Sequence, residues 1–432
     1  MGPKLLLINP AMITSGSNGL HSPLQRQDSH GGAFDGVETQ QRTDPLRATN
    51  TNGRRLPNAG GFATMEPLGL AYVAALTPPH WEVRLVDEVR EDIPADYEPD
   101  LVALGSLSTT VPRAYEIAQY FRERRIPVVM GGVHATLLPD EAERYVDVVF
   151  QGEAEGKWPV VIRDFEGGSL RRRYNGAASD LCGVPQPRRD VYRQGYFLQL
   201  LSASRGCRYH CEFCTLWKLE AGRYRARPPD EVWEELETAG GRRPILFTDE
   251  NVFVDREWAL TLFQGMAERQ LGRRHAVQAS MDIADDDEML AALKHSGCMT
   301  VLVGFESVSE QSLRMMRKGV NLKVGVAHYK EKIARLHEHG LAASGTFIFG
   351  NDGDGPDIFK RTVEFVMEAG LDLAHFGLLT PMPGTDLYDR LEREGRLLYT
   401  DFPADYARYD QRTVVYRPCQ MTPEQLEEGL VW

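Results

Sequence analysis

Twice along this 432-residue chain, short and almost wholly apolar runs alternate with longer amphipathic ones, and no other feature constrains the fold as strongly. In the first stretch the apolar runs fall at 4–9 (KLLLIN), 82–87, 101–105, 127–130 and 146–150. Helical patterns occupy 66–76, 111–124 and 139–145, and Pro67 suits a first helical turn. A strand that is apolar on both faces must be covered on both faces. That predicts a doubly wound α/β domain built on a parallel sheet. In the second stretch, strands are expected at 198–203, 244–248, 276–280, 300–305, 343–349 and 374–379. Helices at 229–239, 256–270, 286–296, 322–339 and 358–369 separate them. Such units predict an open (βα)6 partial TIM barrel. The expected spans are an α/β domain at 1–165, a charged linker at 166–196, the barrel at 197–379 and a short C-terminal extension at 380–432. Both architectures bind ligands at the carboxyl ends of their strands.

Between 202 and 214 the sequence SASRGCRYHCEFC sets Cys207, Cys211 and Cys214 at C-x3-C-x2-C spacing. Three thiolates so spaced can wrap one corner of a four-iron cluster. The fourth iron is then left open to an external ligand. Zinc is the alternative, but it wants four ligands, with a second C-x2-C or a trailing His pair. His210 is nearby, yet the chain contains neither pattern. Six cysteines, three of them clustered, do not form a disulfide framework and fit a reducing cytoplasm. A net charge of −13 argues against a nucleic-acid partner. No run of about 18 apolar residues predicts a membrane span.

The cysteine motif resembles the signature of the radical S-adenosylmethionine (SAM) enzymes, C-x3-C-x-aromatic-C, with Phe213 as the aromatic residue. The resemblance implies that the open iron of a 4Fe–4S cluster binds the amino and carboxylate groups of SAM. It also implies a low-potential electron donor, whose electron releases a 5′-deoxyadenosyl radical. The residues it assigns to SAM are Phe213, Asp249, Glu250, Asn251, Gln278, Ser280, Glu306 and Gly345. Two carboxylates at 249–250 suit a cationic amine. Glu306 would meet the methionine or ribose portion, and Gly345 would lie near the adenine. The plainer alternatives are a helix N-cap for Asp249, and turn or buried hydrogen-bonding roles for the others.

The loops GSLSTT (105–110), GGVH (131–134) and GEAE (152–155) end strands of the first domain. By themselves they could be anion or amide sites, or ordinary tight turns. Together with the cluster motif, the Asn9-Pro10 strand end and PLGL at 67–70, they resemble a cobalamin-binding domain. Such a domain precedes the catalytic barrel in one class of radical SAM enzymes, which includes hopanoid methylases and the anaerobic Mg-protoporphyrin ester cyclase. The implied cobalamin contacts are Ser106, Leu107, Ser108, Gly131, Gly132, His134, Gly152 and Glu153. Other cobalamin domains place a D-x-H-x-x-G histidine on cobalt. Here DSHGG (28–32) is the nearest match, one residue short, and members of the class commonly lack the motif. The turn TPMPGT (380–385) also recurs in the class. Family members usually continue past the last helix, so this chain is expected to be short at its end.

The function these readings predict is a cobalamin-dependent radical SAM enzyme that methylates an unactivated carbon of a small-molecule or lipid substrate. Two alternatives stand beside it: a radical enzyme that forms rings or C–C bonds without methyl transfer, and a cobalamin-binding sensor. No acid–base triad is evident, so no catalytic side chain is assigned.

Overall fold

The computed structural model describes residues 2–12, 65–178, 180–239 and 243–432. The DSHGG stretch and nearly all of the 11–64 segment lie outside these residues. The first sheet contains β1 (Lys4–Asn9), β2 (Glu82–Asp87), β3 (Leu101–Gly105), β4 (Val128–Gly131), β5 (Val148–Gly152) and β6 (Arg173–Gly176). All are parallel, in the order β2-β1-β3-β4-β5-β6. Leu6, Ile8, Val102 and Met130 face one layer of the core, with Val111 and Ile117 of the helix Val111–Glu123. Leu5, Leu7, Leu85 and Val129 face the other, with Ala71 and Ala74 of the helix Leu68–Ala75 and Trp158 of the helix Trp158–Glu166. Both faces of β1 are therefore sealed. Its Leu5, Leu6, Leu7 and Ile8 have no solvent exposure, and each such side chain contributes roughly 1.5–3 kcal/mol.

The stretch 166–196 is not a simple linker. β6 extends the sheet beyond β5, and Tyr192 and Tyr196 pack into the same core. In β6 only Tyr174 and Gly176 are buried, while Arg173 and Asn175 are exposed. An edge strand of this composition reads as a charged loop in sequence.

The second sheet begins with β7 (Gln199–Leu201), which leads into a small antiparallel hairpin of β8 (Ser204–Arg205) and β9 (Arg225–Ala226). It continues with β10 (Ile245–Phe247), β11 (His275–Ala279), β12 (Cys298–Glu306), β13 (Ala342–Phe349) and β14 (Leu373–Leu378). The order β14-β13-β12-β11-β10-β7 is parallel and open, as a six-stranded partial barrel requires. Val277, Val301, Val303, Phe305 and Phe347 point outward beneath the helices. Their strand neighbours Gln278, Leu302, Gly304 and Thr346 line the lumen, as the two-residue period of a strand demands.

Buried ion pairs join the two units. Glu66 accepts from Arg189 Nε and the Leu200 amide, both at 3.0 Å, and from the Tyr192 hydroxyl at 2.9 Å. The segment after the barrel crosses back over both. Tyr406 lies in the first domain's core, and Tyr409 and Tyr416 pack beside the barrel. Among the described residues no helix is long and apolar enough to cross a membrane.

Candidate functional site

The cysteine loop leaves β8 through Gly206, whose φ of +96° favours glycine. A Cβ there would lie 1.8 Å from the Arg223 carbonyl oxygen, so the hairpin closes only around glycine. The Gly206 amide donates to Glu250 Oε2 at 2.9 Å, tying the loop to the end of β10. The Cys214 amide donates to the Cys211 carbonyl at 3.1 Å, closing a tight turn between the last two cysteines. Cys211 is buried, and Cys207 and Cys214 are half-buried. Burial raises all three thiols, Cys211 to about 11, while the nearby Lys318 ammonium pulls them down. Among the described residues no three Cys, His, Asp or Glu side chains are gathered closely enough to hold a single metal ion.

Beside Cys207 a cavity of about 170 Å³ opens at the carboxyl ends of β10 to β13. Its lining includes Cys207, Tyr209, Glu250, Asn251, Gln278, Ser280, Leu302, Gly304, Glu306, Lys318, Asn321 and Thr346. Burial raises the Glu250 carboxyl. Asn251 bridges two strand ends: its Oδ1 accepts from the Ser280 amide at 3.1 Å, and its Nδ2 donates to Ser280 Oγ at 3.0 Å. Ser280 Oγ in turn donates to Asp282. Glu306 adopts φ +61°, rare for a residue with a Cβ. Its carboxylate folds back over Gly304 to accept from Lys318 Nζ at 2.6 Å. A Cβ on Gly304 would lie 2.3 Å from that carboxylate, so the glycine makes room for the pair. Burial works against the Lys318 charge, but Glu306 and Cys211 outweigh it, and the net shift is upward.

Three of the residues expected to bind SAM do not line this cavity. Asp249 is fully buried on the outer side of the strand end. It accepts from Ser204 Oγ and from the Ala203 amide, and burial raises its carboxyl to about 6. It fastens β10 to the β7–β8 connection and does not face the cavity. Gly345 also faces outward, toward Leu371 and Phe305; its neighbour Thr346 is the lumen residue. Phe213 packs between the barrel core and the C-terminal segment, outside the cavity. The cavity is also lined by Tyr209, Lys318, Asn321 and Thr346, which the sequence does not single out. A single lysine in the loop MMRKG (315–319) carries no local signal.

In the first domain β1 and β3 are neighbours at the point where the strand order reverses, the usual ligand crevice of such sheets. Just beyond the strand ends there, Met12, Val89 and Leu107 expose apolar side chains. Exposed apolar groups therefore stand at this crevice. His134 does not reach it. Its ring is fully buried, with Nδ1 3.1 Å from Ser108 Oγ and Nε2 2.7 Å from Glu141. Tyr115 donates to the same Glu141 oxygen, and Tyr406 stands edge-on to the imidazole. Ser106 is buried too, bonded to the Gly131 carbonyl. Gly132 and Gly152 have positive φ, and their close neighbours are backbone atoms of Ser106 and Gly176. Glu153 spans the domains: Arg225 donates to both its oxygens at 2.7 and 2.8 Å, and Arg205, two residues before Cys207, lies 3.0 Å away.

Comparison with known proteins gives two domain matches: the radical SAM superfamily over residues 201–366, and the B12 binding domain over 62–162. Bacteriochlorophyllide d C-12(1)-methyltransferase of Chlorobaculum tepidum is 30% identical over 388 residues, covering 85% of this chain and 82% of that protein. Bacteriochlorophyllide d C-8(2)-methyltransferase of the same organism is 27% identical over 356 residues, covering 78% of each. A solved structure of the radical S-adenosylmethionine methyltransferase TsrM from Kitasatospora setae, with cobalamin and a 4Fe–4S cluster bound, aligns with a TM-score of 0.69. It covers 100% of this chain and 88% of that one at 18% identity, which is a likeness of fold.

Proposed function

The chain belongs to the radical SAM family whose catalytic barrel follows a B12-binding domain, and from that premise we propose roles for its residues in a C-methyltransferase. Cys207, Cys211 and Cys214 hold the 4Fe–4S cluster, and the adjoining cavity seats SAM. The cluster with SAM supplies one-electron radical chemistry, and cobalamin carries the methyl group. Everything else is the work of this chain's side chains. Glu250 accepts from the SAM amine. Lys318, held by Glu306, offsets the charge of three thiolates and faces the SAM carboxylate. Asn251 and Ser280 fix the strand ends on which these groups stand. The crevice at β1 and β3 takes cobalamin on the surface of Met12, Val89 and Leu107, without His134. Residues 1–196 form the cobalamin unit, 197–379 the barrel, and 380–432 a segment joining them.

The substrate is a small molecule with an unactivated carbon, in keeping with relatives that act on bacteriochlorophyllides. A low-potential donor supplies the electron. The observation that carries this reading is the convergence of Cys207, Glu250, Glu306 and Lys318 on one cavity. The test is to reconstitute the full chain anaerobically with iron, sulfide and cobalamin, then add SAM and a reductant. The expected result is 5′-deoxyadenosine formation by protein carrying stoichiometric cobalamin, with one methyl gained by an accepted substrate. Deoxyadenosine from protein that retains no cobalamin would overturn the methyl-transfer reading.

A further inference from the structure

We infer that the helix Asp386–Arg393, which lies outside the barrel, is a clamp that sets the position of the cysteine loop. The inference rests on the cluster reading above. Cys211 stands between two residues that can carry opposite charge, His210 and Glu212. The helix presents the complementary pair, Asp386 and Arg390, one turn apart and so on one face. His210 Nε2 lies 3.1 Å from one oxygen of Asp386, and Lys218 Nζ lies 3.0 Å from the other. Arg317 adds a third contact to Asp386 at 3.1 Å. One turn on, Arg390 donates to the two Glu212 oxygens at 2.7 and 3.1 Å, and to Asp352 at 2.8 Å.

The backbone joins in. The Leu387 amide donates to the Glu212 carbonyl, and the Glu212 amide donates to the Met316 carbonyl, both at 3.1 Å. Thr385 caps the helix by accepting from the Tyr388 amide, and Trp217 stacks on the His210 ring with centroids 4.2 Å apart. Both neighbours of the central cysteine are thus held from outside the barrel. Glu212 is buried, and a buried carboxylate without its guanidinium is strongly disfavoured. The loop therefore keeps its shape only while the helix is docked. Hydrogen-bond partners of the metal ligands themselves commonly change metal affinity by about 10- to 100-fold when removed; the clamp acts one residue further out, through the chain neighbours of Cys211, so the lower end of that range is expected.

The test compares full-length Arg390→Gln and Asp386→Asn with Arg390→Lys and with Arg393→Gln. Arg393 sits on the same helix, and its Nε donates only to the Asp389 carbonyl. Two quantities are measured: the rate of iron loss from the reconstituted protein to a ferrous chelator, and amide hydrogen exchange over residues 206–216 in the cluster-free chain. In Arg390→Gln, iron loss is roughly tenfold faster and exchange over 206–216 accelerates. Asp386→Asn moves both in the same direction, Arg390→Lys restores most of the effect, and Arg393→Gln matches the wild type. The clamp is refuted if Arg390→Gln exchanges at the wild-type rate, or if Arg393→Gln accelerates exchange as much. Wild-type protein that binds no iron would sink the cluster reading alone, because the exchange comparison still decides the clamp.

Discussion

Asp249 and Glu250 are adjacent carboxylates in sequence, and the structure gives them opposite duties that a pair of substitutions separates. Asp249 is fully buried, and its carboxyl rises from 3.8 to about 6, with burial as the largest cause. A shift of that size corresponds to about 3 kcal/mol. The sign follows from linkage. With the folded-state value above the unfolded one, the contribution to stability is complete below about pH 4. It falls as the pH rises toward 6 and stays lost above that. Asn at this position has no proton to exchange. Its amide can still accept from the Ala203 amide and bond the Ser204 hydroxyl. The unfolding free energy of wild type minus that of Asp249→Asn should therefore fall by about 2–3 kcal/mol between pH 4 and pH 7, read by urea unfolding of the cluster-free chain. SAM affinity of the reconstituted variant should match the wild type, because Asp249 turns away from the cavity. Parallel pH profiles, or a large loss of SAM affinity in Asp249→Asn, would refute this placement.

Glu250→Gln should do the reverse, weakening SAM binding by about tenfold or more through loss of a charge-assisted bond, as titration of the reconstituted protein would show. Arg113→Met should destabilise the first domain by about 3–5 kcal/mol in denaturant, since it strands buried Glu88, whose carboxylate accepts from Arg113 at 2.7–3.1 Å and from the Ala11 amide. The Ala11 contact lies beside the proposed cobalamin surface, so that variant should also retain less cobalamin after gel filtration. Gly152→Ala should destabilise by more than the ~1 kcal/mol typical of point substitutions, because its Cβ would meet the Gly176 carbonyl oxygen at 2.1 Å.

Apart from β6, the sheets were legible because their strands are short, mostly apolar runs between amphipathic helices, and the cysteine loop because its spacing is local. Parity within the strands was the signal left unread. Phe247 and Asp249 share the outer face, while Glu250 looks into the lumen. Gly345 and Phe347 likewise share one face, and Thr346 takes the other. Counting by twos from a core phenylalanine would have removed Asp249 from the cavity set, leaving Glu250, and replaced Gly345 with Thr346. Lys318 and Arg390 were beyond such counting. Each acquires its role from a carboxylate brought to it by the fold, Glu306 in one case and Glu212 in the other. His134 looked like a ligand-facing turn residue because Glu141, Tyr115 and Tyr406, which enclose it, come from three separate elements.

The most direct test of the central claim is electron paramagnetic resonance of the reduced, reconstituted chain, recorded with and without SAM. The expected result is a 4Fe–4S signal whose g-values shift when SAM is added, a shift weakened in Glu250→Gln, with the signal abolished in a Cys211→Ala variant. A cluster signal that ignores SAM, or one that survives the loss of Cys211 unchanged, would contradict it.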